Sequence, residues 1–200
     1  MIDYSSLMRR NTYVWQDKVP SKELIDKLLK DLIKYTPSKQ NLFRYTLVVA
    51  DNHTNLENKL LRYIGTITPS NGRYNPQVLA PWLFTYYPRE IKETRSTKEM
   101  DKDWNEGYAN RESQALDVGL SCQTLVTLAT LHGLQTGFCR CFHGTQKKIW
   151  KLDSKMPMVT VGVGYASDEK EYRCPVLDEL KPLPEEWNPK PMEQEFIKRV

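Results

Sequence analysis

Pro37-Ser38-Lys39-Gln40-Asn41-Leu42-Phe43-Arg44-Tyr45-Thr46-Leu47-Val48-Val49-Ala50 holds the break from which the rest of the chain is read. Ahead of it, Leu24, Ile25, Leu28, Leu29, Leu32 and Ile33 recur at helical spacing. Lys22, Asp26, Lys27, Lys30, Asp31 and Lys34 fill the opposite face. Ser21 stands where an N-cap belongs, with Glu23 in the first turn. Proline disfavours helical geometry in the residue before it, so the helix ends ahead of Pro37. Tyr45 to Ala50 is a β-branched apolar run and reads as a strand. Ser38, Gln40 and Asn41 sit at the junction with groups that donate and accept hydrogen bonds. Taken alone, such a stretch is a helix-to-strand turn. Its company, Arg9-Arg10-Asn11 near one end of the chain and Gly164-Tyr165 with Arg173 near the other, suggests more.

Two hundred residues with 40% hydrophobic and 27% charged side chains describe one globular domain, residues 1–200. A net charge of +4 with no long basic block argues against a nucleic-acid partner. The sequence has no run of eighteen apolar residues and no apolar signal-peptide core, so neither membrane insertion nor export is expected. The four cysteines, Cys122, Cys139, Cys141 and Cys174, are too few for a disulfide scaffold. A reducing cytoplasm is the simplest home.

Further along, Leu56, Leu60, Leu61 and Ile64 suggest a short helix, and Thr66 to Pro76 a loop. Leu79 to Tyr87 reads as a second strand with Pro81 at its start. Arg89 to Arg111 is polar and reads as an exposed excursion, either a lid over a site or a solvated insertion. Glu112 to His132 is a long helix, apolar almost all round from Val118, which implies burial at the centre or against a partner chain. Gly133 is its stop. Phe138 to Phe142 suggests a third strand, Thr145 to Leu152 a short helix, and Met158 to Gly164 a last strand. The tail from Pro182 is rich in proline and charge and cannot build its own core. The order gives a mixed α/β or α+β chain, too irregular for a doubly wound sheet.

Paired guanidinium groups at Arg9 and Arg10 suit a phosphate. Gly162-Val163-Gly164-Tyr165 ends a strand, a common place for ligands, and Arg173 follows as a second possible phosphate contact. Cys139, Cys141 and His143 invite a metal, but no fourth ligand is near and the spacing matches no zinc site. No metal is therefore expected. Walker, G-x-G-x-x-G and H-E-x-x-H motifs are all absent.

Together these pieces resemble the nitroreductase family of flavin-dependent oxidoreductases. Its R-R-S-x-R-x-F opening corresponds to Arg9-Arg10-Asn11-Thr12-Tyr13-Val14-Trp15, and its P-S-x-x-N motif to Pro37-Ser38-Lys39-Gln40-Asn41. Ala80-Pro81 stands at the start of a strand. His132-Gly133-Leu134-Gln135-Thr136-Gly137 follows the long helix, and Gly164-Tyr165 with Arg173 closes the series.

The resemblance implies an α+β fold, with a mixed sheet flanked by helices, in an intertwined homodimer whose C-terminal arm, 182–200, wraps the partner. It implies FMN at the subunit interface and NAD(P)H as reductant. The acceptor would be a small nitroaromatic, quinone or related molecule. Arg9, Arg10, Asn11 and Arg173 would hold the phosphate or ribityl chain. Ser38, Gln40 and Asn41 would reach the flavin from the other subunit. Asn75 or Gln77 would contact the isoalloxazine edge, and Arg140 and Cys141 would offer backbone N–H groups. No catalytic side chain is required, since the hydride chemistry is the flavin's. Tyr13 stands where the family has a basic residue near the flavin pyrimidine, Asn11 where it has serine, and Leu42-Phe43-Arg44 where it often has Gln-Pro-Trp. Three other functions stay open: a specialised member performing reductive dehalogenation or oxygen-dependent flavin chemistry, a non-catalytic flavin-binding or storage protein, and a thiol or metal-binding module built on Cys139, Cys141 and His143.

Overall fold

The computed structural model describes residues 11–38, 41–51, 76–89, 91, 106–140 and 155–167. The expected short helices at 56–64 and 145–152, and the tail from 182, lie outside them. So do most of the polar excursion and the loop 66–75.

Helix α1 is Lys22–Tyr35. The Ser21 hydroxyl accepts from the Leu24 N–H at 3.3 Å and caps its start. Thr36 donates its N–H to the Leu32 carbonyl at 3.0 Å, and Pro37 prevents a further turn. Ile25, Leu28 and Leu32 form the buried stripe, as their spacing requires.

The strands are β1 (Tyr45–Asp51), β2 (Trp82–Pro88), β3 (Gln135–Cys139) and β4 (Val159–Gly164). They lie in the order β1-β2-β4-β3, and every pairing is antiparallel. The α+β expectation is met, but among the described strands the sheet is antiparallel rather than mixed. Long helix α2, Glu106–Leu131, joins β2 to β3. It starts six residues before the expected Glu112. Glu106-Gly107-Tyr108-Ala109-Asn110-Arg111 carries no apolar rhythm to betray the extension. Cooperative propagation from the buried turns extends the helix through it. Gly133, at φ 70°, ends α2 as expected, and the Leu134 N–H closes back on the Ala129 carbonyl at 2.9 Å.

Strand β2 begins at Trp82, not Leu79, because Pro76–Leu79 forms a 3-10 helix ahead of it. Strand β3 begins at Gln135, not Phe138. Gln135 and Gly137, on either side of the strand-favouring Thr136, have no strong strand character, and pairing with Gly164 and Gly162 draws them in.

Alternation divides the sheet into two faces. Trp82, Phe84, Tyr86, Val159, Val161 and Val163 face α1 and α2 in the main core. Leu83, Thr85, Thr160 and Cys139 face the other way, where Ala80 and Trp15 cover them. Helix α2 is not buried all round. Val118, Cys122, Leu125, Val126 and Ala129 are buried, while Leu116 and Leu131 are exposed. No helix among the described residues is long and apolar enough to cross a membrane.

Tyr45, Tyr86 and Cys122 meet in the main core. Burial raises the Tyr45 phenol, raises that of Tyr86 much further, and pushes the Cys122 thiol from 9.0 up to about 12. All three groups are kept protonated by folding. Their stabilising effect is complete below the unfolded values and is lost as pH rises. The urea midpoint is therefore expected to hold near neutrality and to fall from about pH 9 upward, where only the unfolded chain releases these protons. A midpoint unchanged between about pH 8 and 11 contradicts this. Cys122 in the folded protein is also expected to resist alkylation, because the thiolate is the reactive form.

Candidate functional site

The N-terminal segment of the described chain is a strap across the ends of β3 and β4. Thr12 donates its N–H to the Thr136 carbonyl at 3.0 Å, and Gln16 to the Tyr165 carbonyl at 2.9 Å. Ser167 returns an N–H to the Val14 carbonyl at 3.0 Å, and Trp15 bridges Ala166. The Asn11 side chain locks the strap: its Oδ1 accepts from the Phe138 N–H at 2.6 Å, and its Nδ2 donates to the Tyr13 hydroxyl at 2.8 Å. Tyr13 therefore keeps its own hydroxyl hydrogen available for donation. Lys18 lies over the Tyr165 ring, 4.3 Å from its centroid.

The strap and the 3-10 helix approach the sheet closely only because glycines line its second face. A Cβ on Gly137 would meet the Thr12 carbonyl and lie 3.1 Å from the Gln77 side chain. A Cβ on Gly164 would lie 2.7 Å from Pro81 and 3.0 Å from Trp15. Gln77 is held in this layer at 5% exposure, and its buried Oε1 has no hydrogen-bond partner among the described residues. A buried amide oxygen left without a donor is costly in a folded chain, so the donor for Gln77 lies outside the described residues or in a bound group.

A second constellation sits at the other end of α1. Asp117 of α2 is buried, and its Oδ2 accepts from the Ser38 hydroxyl and from the Arg44 N–H, each at 3.0 Å. The Ser38 oxygen accepts from the Phe43 N–H at 2.9 Å. Buried Arg44 places its Nη1 3.8 Å from the same carboxylate. Asn41 is exposed on this turn and adopts φ 55°.

No family model and no curated protein matches the sequence. Solved structures do match the fold. A nitroreductase-like protein of Streptococcus mutans superposes with a TM-score of 0.66 at 16% identity, over 98% of this chain and 96% of its own. A nitroreductase family protein of Streptococcus pneumoniae TIGR4 gives 0.65 at 15% identity, over 96% of each chain. An FMN-dependent nitroreductase of Clostridium difficile R20291 gives 0.57 at 18% identity, over 86% of this chain and 90% of its own. This chain has the nitroreductase fold.

Within that nitroreductase fold, the strap and the Gly164-Tyr165 strand end come together. Asn11 and Thr12 of the strap lie against Phe138 and Thr136 of β3, where Gly137 also meets Gln77, and Val14, Trp15 and Gln16 lie against the Gly164-Tyr165 end of β4. Arg140 follows β3 directly and is exposed. Ser38 and Asn41 belong to the second constellation, anchored on α2, and the Ser38 hydroxyl hydrogen is engaged by Asp117. Arg9, Arg10, Gln40, Asn75, Cys141 and Arg173 lie outside the described residues. Among the described residues no group of acids, histidines and cysteines can hold a metal ion; Cys141 and His143 are not among them. Thr12, Asp117 and the spacing role of Gly137 escape a reading of sequence alone. Asp117 does leave one signal, as an isolated acid between Leu116 and a long apolar run.

Proposed function

We propose that this protein is an FMN-dependent oxidoreductase that takes hydride from NAD(P)H and passes it to a small nitroaromatic, quinone or related acceptor. The observation that carries the proposal is the strap: it sets Asn11 and Tyr13 against β3 at Phe138 and Val14 to Gln16 against the Gly164-Tyr165 strand end, near a buried glutamine oxygen with no partner among the described residues. The residues fit a flavin. Gln77 Oε1 is an acceptor suited to a flavin N–H, and the Tyr13 hydroxyl is a donor suited to an electron-rich flavin oxygen. When bound, FMN supplies two-electron hydride chemistry at N5.

The chain's own residues bind and orient. Arg9, Arg10 and Arg173, which flank the strap and the strand end in sequence, neutralise the phosphate. Asn11 fixes Tyr13, and a phenol in place of a cation supplies a hydrogen bond without charge. The active form is a homodimer in which Gln40 and Asn41 reach the cofactor of the other subunit and the arm 182–200 embraces it. Backbone N–H groups at Arg140 and Cys141, and the amide of Asn75, complete the cofactor contacts. The fold likeness to an FMN-dependent nitroreductase supports this reading.

The test is an absorbance spectrum of the purified protein, followed by anaerobic NADPH and then NADH. A flavin spectrum that bleaches is expected. Colourless protein that takes up no added FMN refutes the proposal. Arg9→Ala is expected to weaken FMN binding about thirtyfold, the equivalent of about 2 kcal/mol for one charge-assisted hydrogen bond. Unchanged flavin occupancy in that variant removes Arg9 from the phosphate site.

A further inference from the structure

Asp117 is 1% exposed, on a helix face shared with Val118, Ser121 and Cys122. A carboxylate there is tolerated only if it is paired and hydrogen-bonded. Among the described residues its partners are Ser38 and Arg44, and all engage Oδ2, while Oδ1 has none. Oδ2 takes the Ser38 hydroxyl and the Arg44 N–H, each at 3.0 Å. Ser38 passes the hold on to the Phe43 N–H at 2.9 Å through its oxygen, and to the Asn41 N–H at 3.0 Å through its carbonyl. One carboxylate oxygen thus grips Ser38 and Arg44, on either side of Asn41 and Phe43.

That turn needs gripping. Asn41 at φ 55° and Phe43 at φ 45° both occupy the left-handed region, which side chains other than glycine enter at a cost. Asparagine tolerates it; a bulky phenylalanine does not. Such geometry persists only where the surroundings over-determine it. Outside the carboxylate, the Arg89 guanidinium donates to the Leu42 carbonyl, and the Arg89 N–H to the Arg44 carbonyl at 3.2 Å. The turn is therefore anchored on its buried side while Asn41 is left exposed.

We propose that Asp117 is a positioning residue: through Ser38 and the Arg44 amide it holds Asn41 to Phe43 in the strained geometry that presents Asn41 to the flavin. The inference rests on the flavoprotein reading above. Asp117 touches no cofactor in this account. Its effect is on where Asn41 stands.

Asp117→Asn keeps the shape but loses the charge opposite Arg44 and one arrangement of acceptors. Asp117→Glu keeps the charge and moves the acceptor by one carbon, and it carries the test if the first variant does not fold. Both are measured against Ile25→Val, a change in the main core far along α1 from the turn, which lowers stability without touching it. Two readouts are needed: FMN dissociation constants by fluorescence titration, and amide exchange at Phe43 and Arg44 in the flavin-free protein. In the Asp117 variants those two amides are expected to exchange faster and FMN to bind about tenfold more weakly or worse. Ile25→Val is expected to lower the melting temperature and leave FMN affinity unchanged. Asp117 variants that bind FMN like wild type overturn the inference, as does an equal affinity loss in Ile25→Val. Wild-type protein that binds no FMN overturns the flavoprotein reading, and this inference with it.

Discussion

Gly162→Ala is expected to destabilise the protein by about 3 kcal/mol, the upper end of the usual cost of overpacking. Gly162 pairs with Leu83 on one side and Gly137 on the other, on the sheet face away from the helices. An added Cβ would run into the Gln77 carbonyl oxygen and lie 2.6 Å from the Ala80 Cβ and 3.2 Å from the Trp15 ring. The first of these is backbone and cannot rotate away. Relief requires the 3-10 helix Pro76–Leu79 to lift off the sheet, and Gln77 with it. The same variant should therefore lose FMN affinity beyond what its stability loss explains. Gly119→Ala is the internal control. Nothing lies within 4 Å of a Cβ there, and the residue is in the interior of α2. Alanine at that position is expected to stabilise by about 1 kcal/mol from helix propensity. Urea unfolding of the two variants checks both signs. A Gly162→Ala protein as stable as wild type would show that the 3-10 helix is not seated as described.

Ser121→Ala is expected to cost about 3 kcal/mol, although it removes a single oxygen, because two buried phenols lose a partner at once. Ser121 is fully buried on α2. The Tyr45 hydroxyl donates to its oxygen at 2.9 Å, and the Tyr86 hydroxyl shares a hydrogen bond with it at 3.1 Å. The two rings meet edge to face with centroids 5.1 Å apart, so neither hydroxyl can turn away without disturbing the other. The distinguishing variant combines Ser121→Ala with Tyr45→Phe and Tyr86→Phe. Removing all the polar groups together is expected to recover most of the loss, since apolar groups of the same shape need no partner. If the combined variant is no more stable than Ser121→Ala alone, packing rather than polar satisfaction explains the cost.

Both predictions concern contacts that the chain order does not announce. The elements themselves were more legible. Ser21, the stripe of Ile25, Leu28 and Leu32, and Pro37 together specify where α1 starts, which side it buries and where it ends. The β-branched and aromatic runs mark β1, β2 and β4 to within a few residues. Gly133 marks the end of α2. Of the candidate site, Asn11, Tyr13 and Gln77 were legible as residue types at suggestive positions, but not as neighbours. Asn11 reaches Phe138 across 127 positions, and Gln16 reaches Ala166 across 150.

The sequence by itself determined what depends on nearest neighbours in the chain: helix periodicity, capping, proline breaks, strand character and the left-handed stop at Gly133. These are local energies, set by a residue and the few beside it. Only the tertiary structure decided where β3 lies, how far α2 extends toward Glu106, which face the three glycines keep clear, and that Asp117 holds the Ser38 turn. Gln135 and Gly137 have little reason to be in a strand until β4 pairs with them, and Asp117 has no reason to be buried until Ser38 and Arg44 bring it donors. Each of those states is stable only through a partner 25 or more positions away, and nothing in the local pattern names that partner.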